Sequence, residues 1–152
     1  MTNHYLLSTQ LEKPFTFDYS YWSHDGFKVP NDKDGYLFPT DSSSKYVDQQ
    51  QVFRDQGVEM LENAFAGFNT CIFAYGQTGS GKSYSIRGYG ENKGVVPLMC
   101  EELFRRVEKE KKKGEAEGKR REYKVIFSMV EIYNEIIQDL QVKDNDRIKG
   151  GL

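Results

Sequence analysis

A glycine-rich loop in the middle of the chain carries the residues best suited to chemistry. Residues 76–83 have the sequence Gly-Gln-Thr-Gly-Ser-Gly-Lys-Ser, which matches the phosphate-binding pattern G-x-x-x-x-G-K-S/T. Glycines at these positions let successive backbone N–H groups point inward at phosphate oxygens. Four fixed positions match at once, which favours a nucleotide-binding site over an ordinary glycine-rich turn that happens to contain a lysine.

Three residues of this region have predicted roles of their own. Lys82 is placed to reach the β- and γ-phosphates, and the Ser83 hydroxyl to bind Mg²⁺. A helix that begins near Lys82 would add the positive end of its dipole at the same place. Tyr84 has two open interpretations, because its ring either packs that helix or stacks on an adenine. The candidate nucleotide-binding residues are Gly76, Gln77, Thr78, Gly79, Ser80, Gly81, Lys82, Ser83 and Tyr84.

Hydrolysis needs more groups than this loop supplies. P-loop hydrolases use a further acidic residue that holds Mg²⁺ and a group that orients the attacking water. After the loop, Asp139 follows a short apolar run without a downstream glycine, and the D-x-x-G match at residues 32–35 precedes the loop. His4 and His24 have no ligand-like neighbours in the sequence, and we interpret them as surface residues. The sequence therefore predicts no catalytic residue.

Composition and charge exclude several classes of protein. A chain of 152 residues suits one domain, and its net charge of −2 gives no basic field for nucleic acid. The longest uncharged apolar stretch, near residues 70–75, is far too short to cross a membrane. The first four residues lack the features of a signal peptide, and Cys71 and Cys100 are expected to be buried, reduced thiols. We therefore expect a cytosolic protein with no nucleic-acid partner and no membrane insertion.

The elements expected before the loop begin with a short strand over residues 13–18 and a long surface loop over residues 23–44. Residues 48–66 should form a helix with Asp48 as its N-cap, because apolar residues recur there at helical spacing and Gly67 stands where the helix should stop. Residues 69–75 then read as a buried parallel strand that leads into the glycine-rich loop.

The elements expected after the loop are two helices and a strand. One helix begins near Lys82 and another is opened by Pro97, while residues 109–122, with mixed charges and two glycines, predict a solvated linker rather than a binding patch. Residues 123–133 are apolar on both faces, which suits a central strand beside residues 69–75. The whole order predicts an α/β fold with layers on both faces of a sheet.

The loop and its flanks resemble the motor domain of the kinesin family. Residues 73–86, FAYGQTGSGKSYSI, are similar to the family signature, and Gln77-Thr78 is far more restrictive than the general phosphate-loop pattern. Further segments agree in order and spacing: FTFD at 15–18, QVF at 51–53, GFN at 67–69, EIYNE at 131–135 and DL at 139–140. The segment YWSHD at 21–25, with KSY at 82–84, resembles the kinesin-three, vesicle-transport type.

This resemblance covers roughly residues 13–140 and implies a fold, ligands and a partner. The implied fold is a P-loop NTPase, part of the three-layer kinesin motor fold with a central mixed, mainly parallel sheet. ATP and Mg²⁺ are the implied cofactors, with residues 76–83 at the phosphates and Mg²⁺, and Tyr84 at the adenine. Through the intact motor domain, microtubules are the implied partner, and the implied location is the cytoplasmic microtubule cytoskeleton.

Several family features find no match in the sequence. No R-x-R-P motif occurs in residues 1–11, and neither an SSRSH-like switch I nor a DLAGSE-like switch II follows the loop. We therefore expect residues 1–152 to be a partial motor domain that does not hydrolyse ATP by itself, while the intact protein moves along microtubules. A kinesin-like module that binds nucleotide without turnover is the alternative. A self-contained small P-loop kinase is disfavoured, because its loop would lie near the N-terminus.

Overall fold

The computed structural model describes residues 13–29 and 35–142. The chain forms two units, one ending at Phe104 and the other beginning at Arg105. In chain order the elements are β1 (Phe27–Lys28), β2 (Phe38–Pro39), α1 (Gln49–Val52), a π-helical turn (Phe53–Gly57), α2 (Val58–Phe65), α3 (Lys82–Ile86), β3 (Gly88–Tyr89), β4 (Asn92–Lys93), α4 (Val95–Ala116), β5 (Val130–Tyr133) and β6 (Ile136–Asp139). Within the described ranges, none of these helices combines the length and apolar character needed to span a membrane.

The helix predicted for residues 48–66 is present as α1, the π-helical turn and α2. Asp48 caps its N-terminus as expected, since one oxygen of the Asp48 side chain accepts a 2.7 Å hydrogen bond from the N–H of Gln51. The other oxygen accepts a 3.0 Å hydrogen bond from the Tyr36 hydroxyl. The cap thus also joins α1 to the chain segment before it.

Gly67 ends α2, as the sequence predicts. It adopts φ = 93°, in the left-handed region that favours glycine. The Gly67 N–H donates to the carbonyl of Ala64, and the Phe68 N–H donates to the carbonyl of Asn63, both at 3.0 Å. This pair of bonds is the Schellman motif, which satisfies the last carbonyls of a helix.

The π-helical turn interrupts the helix where Phe53 packs against Gly57. The Val58 N–H reaches back five residues to the carbonyl of Phe53, which defines the wider turn. A Cβ atom at Gly57 would overlap the Phe53 ring and lie 3.3 Å from Cγ of Met99. Only a glycine leaves room for the ring here. The turn therefore depends on one residue pair in the sequence.

The core of the first unit is small and lies around these helices. Its buried residues include Tyr46, Leu61, Val95 and Leu98, of which Val95 is 2% exposed. Gln49 is buried beside these apolar side chains. Cys71 and Cys100 are exposed, so the prediction that both are buried is wrong. Both lie in apolar sequence, but on faces that no described element covers.

The strand predictions differ from the structure in how the strands are paired. The described residues form three antiparallel two-stranded sheets: β1 with β2, β3 with β4, and β5 with β6. Residues 13–18, 69–75 and 123–129 have no strand assignment, so the expected pairing of 69–75 with 123–133 is not present there. An extended segment becomes a strand only when a neighbour completes its hydrogen-bond ladder. Phe73, at 83% exposure, shows how open residues 69–75 are.

The predicted surface loop over residues 23–44 contains more structure than expected. β1 and β2 pair antiparallel within it, and the Thr40 N–H donates to the Gly26 carbonyl at 3.0 Å. Asn92, buried in β4, holds the same region through two bonds of 2.8 Å, accepting from the Leu37 N–H and donating to the Gly35 carbonyl. Most of the D-x-x-G match at residues 32–35, and His4, lie outside the described residues.

The linker prediction for residues 109–122 is wrong in its first half, because α4 continues through Ala116. Lysine and glutamate are good helix formers. A Glu108–Lys112 pair at 3.6 Å, one turn apart, adds modest support on the exposed face. Mixed charge here marks a solvated helix.

Gly114 and Gly118, which the sequence analysis assigned to a linker, determine how α4 ends in the second unit. Gly118 adopts φ = 67°, and the Lys119 N–H donates to the Gly114 carbonyl at 2.8 Å, which again completes a Schellman motif. Arg121 then folds back onto the helix, where its guanidinium pairs with Glu110 and with Glu117. A Cβ atom at Gly114 would lie 2.6 Å from the carbonyl oxygen of Lys119 and 3.0 Å from Cγ of Arg121, so glycine leaves room for this return.

β5 and β6 form a hairpin that begins within the predicted strand over residues 123–133. Tyr133 pairs with Ile136, and the two turn residues Asn134 and Glu135 both have positive φ, 48° and 62°. Positive φ at both central residues is the signature of the tight turn that joins antiparallel strands. The segment after residue 133, too short to assign from the sequence, is therefore the return strand.

Candidate nucleotide-binding site

The glycine-rich loop takes up a conformation that its glycines make possible. Gly79 and Gly81 have φ = 81° and 90°, and Gly81 is the N-cap of α3. Side chains at these positions would be strained. The Ser80 N–H closes the turn on the Gln77 carbonyl at 3.2 Å, and the Ser85 N–H bonds the Gly81 carbonyl at 2.9 Å. The chain thus passes from loop to helix at the predicted position, Lys82.

Lys82 folds back over the mouth of the loop. Its ammonium group donates to the carbonyls of Gly76 and Gln77, each at 2.7 Å. These are neutral acceptors, whereas an ammonium group bonds more strongly to an anion. A phosphate oxygen at the loop would therefore compete well for this donor. That Lys82 binds phosphate stays a prediction.

Backbone donors lie at the same place. Among the described residues, none accepts a hydrogen bond from the N–H groups of Gly79, Gly81 and Lys82. Successive N–H groups in such a turn form a concave nest for an anion. Ser83 follows directly and is exposed. The donor set, with one ammonium group and several main-chain N–H groups, fits the phosphates of a nucleotide.

A cleft of about 480 Å³ opens beside this loop. Lys82 and Ser83 line one part of it, and Ile72, Phe73 and Arg87 line others. Arg87 places its guanidinium carbon 5.8 Å from the centre of the Tyr89 ring, a cation–π contact. Two cationic side chains thus border one cleft. Sequence reasoning missed Arg87, and its only signal is its position one turn after Ser83.

Tyr84 lies between the loop and the core. Its ring stacks on Tyr89, with centroids 6.2 Å apart and an angle of 25° between the planes. Its hydroxyl is buried, and the Tyr84 hydroxyl is close enough to that of Tyr46 to help raise the pKa of Tyr46. Helix packing, one of the two interpretations of Tyr84, is thus realised in part. The adenine interpretation stays a prediction.

Tyrosines near α1 form a polar cluster on the side of the core. Burial, followed by the hydrogen bond to Asp48, raises the pKa of Tyr36 to about 12. Burial also raises the pKa of Tyr46 and that of Tyr21. These phenols therefore stay protonated and act as hydrogen-bond donors near neutral pH.

Sequence reasoning also missed Gln49, whose side-chain amide donates to the main-chain carbonyl of Tyr84. A signal was available, because Gln49 precedes Phe53 by one helical turn and so lies on the apolar stripe. A polar residue on a buried stripe needs a partner. Across residues 13–29 and 35–142, no group of three or more His, Cys, Asp or Glu side chains is placed to hold a metal ion.

Comparison with known proteins agrees with the family that the signature segments resemble and with the predicted fold class. The family model described as kinesin motor domain matches residues 4–150. The chain is 54% identical over 131 residues to kinesin-like protein KIF28 of Rattus norvegicus, covering 86% of this chain and 12% of that protein. It is 44% identical over 147 residues to human kinesin-like protein KIF1C, covering 95% of this chain and 11% of that protein.

A solved structure of KIF14, a dimer with AMP-PNP in complex with a microtubule, matches with a TM-score of 0.54 and 34% identity. The match covers 81% of this chain and 35% of the KIF14 chain. This fold agreement supports the predicted P-loop NTPase class. The chain spans only about an eighth of the length of its KIF28 relative. The family match covers nearly every residue, and the chain belongs to the kinesin motor domain family.

Proposed function

We propose that residues 76–84 form the ATP site of a microtubule motor, and that the intact protein couples ATP hydrolysis to movement along microtubules. The observation that carries this proposal is the position of Lys82, whose ammonium group closes over the loop at 2.7 Å from two carbonyls. Exposed N–H groups of the glycine-rich turn lie beside it. This combination of a mobile cation and a nest of N–H groups suits triphosphate binding.

Each residue of the site has one proposed task. Lys82 holds the β- and γ-phosphates, and the main chain from Gly76 to Gly81 surrounds the phosphates. The Ser83 hydroxyl binds Mg²⁺, which when present neutralises the charge on the β- and γ-phosphate oxygens. Tyr84, supported by the stacked Tyr89 ring, offers an aromatic surface to adenine.

Partners and location follow from the family. The KIF14 structure is of a microtubule complex with AMP-PNP, and we propose ATP, ADP and microtubules as the partners of the intact protein, in the cytoplasm. Relatives of the kinesin-three type agree with the segments YWSHD and KSY. We also propose that residues 1–152 are a part of the motor domain, which fits the 35% coverage of the KIF14 chain.

Substitution of the loop lysine tests the proposal. In the full-length protein, Lys82→Ala should abolish measurable binding of fluorescent ADP in the presence of Mg²⁺, because it removes the charge that meets the phosphates. Lys112→Ala is the matched control, since this lysine is exposed and pairs only weakly with Glu108 on α4. Equal affinity of the Lys82→Ala variant and the parent would contradict the site. Binding without microtubule-stimulated turnover would favour the non-hydrolysing alternative.

A further inference from the structure

A buried side chain on α1 contacts the backbone of the helix that follows the glycine-rich loop. The Gln49 amide donates to the main-chain carbonyl of Tyr84, the third residue of α3. Gln49 is 5% exposed, whereas Ser83, which precedes Tyr84 in α3, is exposed. A buried amide that loses its partner costs more free energy than an exposed one. The contact therefore holds α3 firmly against α1.

The Tyr84 carbonyl depends on this donor because α3 ends early. In a longer helix the N–H of residue 88 would bond it. Here the helix ends at Ile86, and Gly88 opens β3 with φ = 76°. The carbonyl one residue earlier, of Ser83, still accepts the Arg87 N–H at 2.9 Å. Gln49 replaces the intrahelical donor that Tyr84 lacks.

The position of Gln49 is itself fixed by its neighbours. It is the first residue of α1, and the preceding Asp48 accepts hydrogen bonds from the Gln51 N–H and from the Tyr36 hydroxyl. Tyr46, two residues before the cap, is buried at 5% exposure. Gln49 thus has little freedom to follow α3 if α3 moves. Through the Gln49 amide, the position of α1 therefore determines the position of α3.

We propose that Gln49 is a positioning residue of the nucleotide site, which places Lys82 and Ser83 through the Tyr84 carbonyl. This inference rests on the proposed ATP site. Because Ser83 and Lys82 immediately precede Tyr84, a shift of that carbonyl displaces the hydroxyl assigned to Mg²⁺. The effect of losing Gln49 should therefore be larger on ADP binding with Mg²⁺ than on ADP binding without it.

The test uses the full-length protein with Gln49→Leu and Gln49→Glu, titrated with fluorescent ADP with and without Mg²⁺. At pH about 7.5 both changes should weaken Mg²⁺-dependent ADP binding about tenfold, the usual effect of one lost buried hydrogen bond. Gln56→Leu is the control, because the Gln56 amide donates to the Tyr21 hydroxyl at 3.4 Å and to no other group among the described residues, so this variant should bind ADP as the parent does.

A change of pH distinguishes a positioning role of Gln49 from a general loss of the folded structure. At lower pH the introduced carboxyl of Gln49→Glu becomes protonated and regains a donor, so its ADP affinity should recover, while that of Gln49→Leu should not. Folded Gln49→Leu protein with the parent's affinity and Mg²⁺ dependence overturns the inference. If Gln49→Leu does not fold, an affinity of Gln49→Glu that is unchanged by pH overturns it. A parent protein that binds no ADP overturns the proposed ATP site itself.

Discussion

The Tyr36 hydroxyl and the Asp48 carboxylate join a loop to the start of α1, and their bond should control stability at high pH. The pKa of Tyr36 is raised from 10.0 to about 12, first by burial and then by this bond. The folded state thus holds the proton more tightly than the unfolded state. This contribution to stability is complete below pH 10 and is lost as the pH rises toward 12.

Tyr36→Phe tests this linkage. The change should lower the free energy of unfolding by about 1 kcal/mol at neutral pH, because Asp48 loses a donor. It should also reduce the fall in stability between pH 10 and 12 relative to the parent. Urea unfolding followed by Trp22 fluorescence measures both effects. A variant whose stability falls with pH as steeply as the parent's would contradict the assignment.

Tyr84 should distinguish adenine stacking from helix packing alone. If its ring supports adenine, Tyr84→Phe should retain ATP affinity, whereas Tyr84→Ala should weaken it about tenfold or more, as loss of one base–aromatic stack does. Inorganic triphosphate, which has no base, serves as the control ligand. Equal losses for ATP and triphosphate in Tyr84→Ala would assign the residue to packing. Competition against fluorescent ADP supplies all of these affinities.

At the scale of elements, the end of α4 depends on Gly118. An alanine at φ = 67° is strained, so Gly118→Ala should lower the free energy of unfolding by about 1–2 kcal/mol. Asparagine tolerates this conformation better, so Gly118→Asn should lose less. Thermal melting followed by circular dichroism compares the two variants. An alanine variant more stable than the asparagine variant would show that this conformation does not decide stability.

Local signals made the helices before the loop predictable from the sequence. Asp48 and Gly67 stand at the two ends of one helix, and each acts on backbone groups within a few residues. The glycine-rich loop was predictable for a related reason, because Gly79 and Gly81 need conformations that few other residues adopt. The contact of Gln49 with Tyr84 was not predictable, since it joins residues far apart in the chain.

Ambiguous signals explain the elements that the sequence predicted wrongly. Gly114 and Gly118 read as linker residues, yet one admits the Arg121 side chain and the other caps α4. The β5–β6 turn consists of Asn134 and Glu135 without a glycine, so the usual hairpin signal was absent. Residues 69–75 have a strand-like sequence, but pairing depends on neighbours that no local pattern reveals.

For the whole molecule, we propose that some exposed apolar side chains pack against further parts of an intact motor domain. Tyr75 is 96% exposed and Ile126 is 77% exposed. Single exposed apolar side chains are common, whereas contiguous apolar patches mark surfaces that contact other protein. In the comparison with KIF14, only 35% of that chain is matched.

The 152-residue chain by itself should bind nucleotide without turning it over at the rate of a motor. A phosphate loop holds substrate and transition state to a similar degree, whereas acceleration needs groups aimed at the attacking water and at developing charge. Loss of one such donor typically costs about 10²–10³ in rate. Phosphate release with and without microtubules measures this. Microtubule-stimulated turnover of order 1 s⁻¹ or more would show that the chain is catalytically sufficient.

The π-helical turn sets the angle between the directions in which two buried side chains of the helix, Gln49 and Leu61, point. Gln49 and Leu61 are both buried, although in an unbroken α-helix their side chains would point about 120° apart. The extra residue that the turn accommodates reduces this angle to roughly 20°. Gln49 and Leu61 therefore face the same side. If residues 53–57 formed a regular α-helix without the loss of a residue, Gln49 would instead turn by about 100° relative to Leu61, away from Tyr84.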